Sequence, residues 1–107
     1  MEHARLLVHR CVVDDVEVRV RLATLVVVRR EGQDALDWEV VAETVDDTAP
    51  RLGRNELALT VVTGVDAGGA VELAEVRGEA QVVRFVKRSV VWRGDAPLLG
   101  FEDAWLA

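Results

Sequence analysis

One cysteine (Cys11), one lysine (Lys87), one serine (Ser89) and two histidines (His3 and His9) are all that the 107 residues offer of these types. Each scarcity excludes something. A lone thiol cannot form an internal disulfide, and nothing in the chain calls for an oxidising compartment. A zinc site needs three or four ligands, and the soft inventory stops at His3, His9 and Cys11. His9 and Cys11 lie two apart along a strand and so point the same way, a poor geometry for a nucleophile and its base. Ser89 has no G-x-S-x-G context around it. No constellation supplies nucleophile, base and charge stabiliser together, so the chain is not expected to be an enzyme, and no cofactor is expected.

Positive charge is also in short supply. Thirteen Lys and Arg stand against nineteen Asp and Glu, a net charge of -6 with a pI near 4.8. A general nucleic-acid or anionic-membrane binder needs a positive surface to release counterions, so neither partner is expected. The one basic cluster, Arg84, Lys87, Arg88 and Arg93 beside Trp92, reads as a solvated edge that discourages sheet-to-sheet association. At the N-terminus, Glu2, Arg5, His9 and Arg10 interrupt every apolar run. The expectation is therefore no signal-peptide core, no spanning helix and a cytoplasmic location. The paired carboxylates Asp14 and Asp15, Asp46 and Asp47, and Glu102 and Asp103 are adjacent in sequence, which turn chemistry explains. Gly64, Gly68 and Gly69 match neither a dinucleotide fingerprint nor a P-loop and read as hairpin glycines.

Valine dominates what is present. Hydrophobic residues make up 50% of the chain, enough to bury a core within one domain spanning residues 1–107. Val16 to Arg29 is the longest β-type run. Val16, Val18, Val20 and Leu22 alternate with Glu17, Arg19 and Arg21, one face to a core and one to water. Beyond Ala23 the second face also turns apolar, so Leu25, Val26, Val27 and Val28 mark a stretch needing cover on both sides, by another layer or another chain. At roughly 3.3 Å per residue the run would span about 46 Å, so a bend or bulge is expected near Ala23 and Thr24.

A first strand from Ala4 to Val13 turns back through Asp14 and Asp15. That register places Cys11 opposite Val18, His9 opposite Val20 and Leu7 opposite Leu22, with His9 and Cys11 pointing inward and Arg10 facing Arg19. Ala35 to Val45 fits both a strand and a helix. Its β-branched residues and the Gly-containing turn before it favour the strand. Asp46 to Asn55, with Pro50 and Gly53, is the longest loop and the first candidate for a functional one. Strands follow over Glu56–Thr63, Ala70–Arg77 ended by Gly78, Ala80–Val86 and Ser89–Arg93, bringing the total to seven. In the tail, Leu98, Phe101 and Trp105 would share one stripe of a short helical turn and cover an open end of the sheet.

The sequence therefore predicts an all-β fold: a single antiparallel sandwich or partly open barrel of about seven strands with a short C-terminal segment. Two functions follow from different features. The two-sided apolar run Leu25–Val28 points to a non-catalytic interaction module acting through its surface as a homo-oligomer or with a protein partner. The three tryptophans point instead to a small-ligand binder, with Trp38, Trp92 and Trp105 lining a cavity and Arg51 or Arg54 holding an anionic group.

Overall fold

The computed structural model describes residues 1–47 and 50–107. It contains strands β1 (Glu2–Val13), β2 (Val16–Val18), β3 (Val20–Arg29), β4 (Leu36–Thr44), β5 (Arg54–Val65), β6 (Val71–Val86) and β7 (Ser89–Gly94), and a single 3-10 turn, Asp103–Trp105. Every pairing is antiparallel. β1, β2/β3 and β4 form one meander, and β5, β6 and β7 form a second. Pairing of β4 with β7 and of β1 with β5 closes the two into a six-stranded barrel, with β2 as a short extra strand beside β1. Closure removes most unpaired edges, which a Val-rich sheet would otherwise expose.

Closing a small barrel demands sharp curvature, and bulges supply it. Successive partners of β1 on β5 run Val8↔Val61 and then Arg10↔Thr60, so His9 is an extra residue. Shifts of the same kind leave Arg21 extra in β3, Thr63 in β5 and Val83 in β6. An extra residue exchanges the faces of everything beyond it, which corrects several expectations. Cys11 opposes Val18 and is fully buried, but His9 sits on the bulge and is exposed. Leu7 pairs with Thr24 rather than Leu22, and both Leu7 and Leu22 face solvent. The strand breaks at Arg19, between β2 and β3, and the expected bulge falls at Arg21, two residues before Ala23. Ala23 is wholly buried within continuous β3, and the carbonyl freed at Arg19 accepts the Val45 amide at 3.0 Å. Arg10 reaches Glu17 at 3.0 Å and Arg19 reaches Asp46 at 3.0 Å, which removes the repulsion expected between the two arginines.

Ala35–Val45 resolves as a strand, with Trp38, Val40, Ala42 and Thr44 inward. Gly78 does not end a strand: β6 runs unbroken through it, so the total of seven strands arises from a split at Arg19 and a fusion at Gly78. The Trp38 ring explains the glycine, since a Cβ at Gly78 would lie 2.5 Å from Trp38 Cζ2. Of the loop expected over Asp46–Asn55, Thr48 and Ala49 lie outside the described residues, and Arg54 and Asn55 already belong to β5.

The interior is one apolar cluster drawn from every strand but β2. At one end of the barrel the Trp92 indole N–H donates to Asn55 Oδ1 at 3.0 Å, so that the buried polar atoms satisfy each other. At the other end Trp38 donates to the Ala96 carbonyl at 2.9 Å. The tail crosses this second end. Leu99 exchanges backbone hydrogen bonds with Arg77 on β6 at 2.9 and 2.7 Å, and Ala107 does so with His3 on β1 at 2.9 and 3.3 Å. Between these anchors Phe101 and Trp105 pack edge to face at 5.1 Å. The expected stripe is therefore made by a short irregular run, with only Asp103–Trp105 helical.

Candidate functional site

The outer wall of the barrel carries the most notable surface. Cross-strand pairing sets Leu7, Thr24, Val41, Val91 and Arg84 in one row over β1, β3, β4, β7 and β6. Leu22 lies on the same face, two residues along β3 from Thr24, because the Arg21 bulge turned it outward. Leu22 is 57% exposed, Leu7 50% and Val41 43%, contiguous rather than scattered. The β6–β7 hairpin overhangs this wall. Its tip is the pair Lys87 and Arg88, Lys87 taking the left-handed φ of 57° that a two-residue turn requires. The tip is fastened to the end of β4 by the Thr44 amide, which donates to the Arg88 carbonyl at 2.8 Å, and by Arg88 Nε on Asp47 at 2.7 Å. Wall and tip together make an open groove of about 800 Å³, with Leu22, Val41 and Val86 as its apolar lining and Glu43, Asp47, Lys87 and Arg88 around them.

Charge around the groove is mostly paired. Arg88 holds the Asp47 carboxyl below its ordinary pKa through a direct hydrogen bond, and Arg21 sits 3.8 Å from Glu43. Among the described residues Lys87 and Arg84 form no ion pair, so the groove carries residual positive charge on an acidic protein.

The residues expected from sequence are not brought together. Leu25 and Val27 are fully buried inside the barrel and cannot meet a partner; only Val26 and Val28 look outward, half-buried. Trp38 and Trp92 are core residues at opposite ends, and Trp105 belongs to the tail. Trp38 borders one surface depression and Trp92 another, of about 200 Å³ beside β2, and Trp105 lines neither. Arg51 pairs with Asp14 at 3.3 Å, and Arg54 with Glu79 at 2.9 Å and Asp95 at 3.1 Å, so each is already engaged. The groove has no signature in the sequence, where the alternation of Val16, Val18, Val20 and Leu22 places Leu22 on the core face. An alternating pattern gives no sign of a one-residue bulge, and Val41 and Val86 look like any other strand valine.

The turn at Asp14 shows what the loop arginine does instead. Asp14 accepts the Glu56 amide and Asn55 Nδ2, both at 2.9 Å, and Asn55 in turn holds Trp92. The Glu56 amide does most to lower the Asp14 pKa; desolvation, next in size, opposes it, and Asn55 and Arg51 add to the lowering. With its folded pKa below the unfolded one, the carboxylate stabilises the fold above about pH 4, and this contribution fades as pH falls through the folded value. Asp14→Asn, which tolerates the positive φ of 49° here, should therefore lose less stability than wild type between neutral pH and pH 3 in urea melts. Equal losses would show that Asp14 does not contribute to the acid transition.

Burial pushes the Cys11 thiol up to about 11, so the thiolate is scarce at neutral pH, and the bulge points His9 away from it. Among the described residues no group of three or more His, Cys, Asp or Glu side chains is placed to hold a metal ion, and no helix is long and apolar enough to cross a membrane. No family model, curated protein or solved structure matches the chain.

Proposed function

We propose that this protein is a non-catalytic interaction module that associates with further copies of itself through the outer groove. One observation carries the reading. The barrel interior is filled by its own side chains, whereas Leu7 and Val41 on either side of Thr24, with Leu22 beside them, form an exposed patch on a wall that a solitary barrel has no reason to make apolar. Interfaces place such apolar ground at their centre with charged groups at the rim, and Glu43, Asp47, Lys87 and Arg88 occupy rim positions here.

Light scattering at micromolar concentration is the direct test. The wild-type chain should exceed the monomer mass of 11.8 kDa. Leu22→Glu with Val41→Glu should return it to that mass with little change in melting temperature, because both side chains are exposed. A wild-type chain that stays monomeric across the concentration range would overturn the proposal.

A further inference from the structure

We infer that the occupant of the groove is the β5–β6 arm of a second copy, in a head-to-tail contact; this rests on the self-association proposed above. β1 leaves β5 after Val61, and β5 and β6 continue as a two-stranded arm with Val62 opposite Leu73, Gly64 opposite Glu72 and Val65 opposite Val71. The tip is well held. Asp66 Oδ1 accepts the amides of Gly68 and Ala70, each at 2.9 Å, and the Asp66 amide donates to the Ala70 carbonyl at 2.8 Å. The Thr63 bulge leaves Val62, Leu73, Val65 and Val71 on one outward face, where Leu73, Val65 and Val71 are 49%, 63% and 55% exposed. The molecule thus exposes two apolar surfaces, this arm and the groove.

Their charges are opposite. Asn55 to Val76 contains four acids, Glu56, Asp66, Glu72 and Glu75, and no base; Val83 to Arg93 contains four bases, Arg84, Lys87, Arg88 and Arg93, and no acid. The groove's own acids are taken up by Arg88 and Arg21, which leaves Lys87 and Arg84 facing outward; Glu72 and Glu75 are likewise exposed and form no ion pair among the described residues. On the arm Glu75 shares the face of Leu73 and Val71, whereas Glu72, opposite Gly64, points to the other face; the arm as a whole is acidic and the groove's hairpin basic, and surfaces of opposite charge attract each other and disfavour like with like.

The arm does not fill its own molecule's groove: the two lie at opposite ends of the sixteen-residue β6, and Leu73, Val65 and Val71 on the one and Leu22 and Val41 in the other all stay exposed. Each copy would therefore give an arm and receive one. Head to tail, such contacts run on into a ring or a filament, whereas a reciprocal exchange between two copies closes as a two-fold dimer.

Two complementary charge reversals test this. Glu72→Arg with Glu75→Arg makes arm and groove both basic; Arg84→Glu with Lys87→Glu makes both acidic. All four side chains are exposed, and circular dichroism should confirm that both variants fold. In sedimentation, wild-type association should weaken with added salt, and each variant alone should dissociate about tenfold or more readily than wild type. An equimolar mixture should recover the wild-type assembly, because each arm then meets a groove of opposite charge. If both variants associate as well as wild type while Leu22→Glu with Val41→Glu still dissociates, the arm is not the occupant, and association through the groove stands. If the variants dissociate but the mixture does not recover, the arm-in-groove pairing also fails. A wild-type chain that is monomeric even at low salt removes both proposals.

Discussion

Truncating the chain after Pro97 should lower its unfolding free energy by about 3–5 kcal/mol, since Leu98, Phe101, Trp105 and Leu106 all pack on the core and leave it together. For a domain of this size that corresponds to a fall in melting temperature of well over 10 °C. The tail is also part of the backbone framework. The β6 edge beyond its pairing with β7 is capped by Leu99, and His3 on β1 by Ala107. Deletion therefore strands backbone donors and acceptors as well as exposing apolar surface, and dye binding should rise with the loss of stability. Gly100 ties the segment down further: its φ of 88° suits glycine, and a Cβ there would lie 2.5 Å from the Glu75 carbonyl oxygen. A truncated protein that melts within a degree or two of the intact one would show instead that the tail is a free docking peptide.

Gly94→Ala should be the most damaging single-methyl change, costing about 3 kcal/mol. The added Cβ would fall within the Trp38 indole ring, which lies directly over Gly94 and also over Gly78. Trp38 has no easy retreat. It is 3% exposed, and its N–H is committed to Ala96, so moving the ring breaks that bond and unseats the start of the tail. Thermal melts with Trp fluorescence should show both a lower midpoint and an altered indole environment. Gly64→Ala is the matching control, with no positive φ and no neighbour to its Cβ closer than 3.7 Å, and should change little. If the two variants melt alike, the slot for Trp38 is not what the glycines provide.

Trp38, Val40 and Ala42 along β4, and likewise Leu57, Leu59 and Val61 along β5, alternate with their neighbours and are all buried. These runs have no bulge, so period two holds from end to end. Leu22 and Leu7 leave the expected core face for the opposite reason. Each has an extra residue beside it in its own strand or a shifted partner opposite, at Arg21 and between β2 and β3, and such a shift carries no composition signature.

The sequence by itself determined the all-β class, the hairpin turns at Asp14–Asp15 and Lys87–Arg88, and a tail that packs on the core, because these rest on local propensity and on hydrophobic residues that must be buried somewhere. Only the tertiary structure decided that the sheet closes, with β1 meeting β5 and β4 meeting β7 across long separations in sequence. Closure forced the bulges, the bulges turned Leu7 and Leu22 outward while Leu25 and Val27 stayed in, and so moved the candidate surface from one face of β3 to the other. Curvature is a property of the whole barrel, and no single strand of the sequence records it.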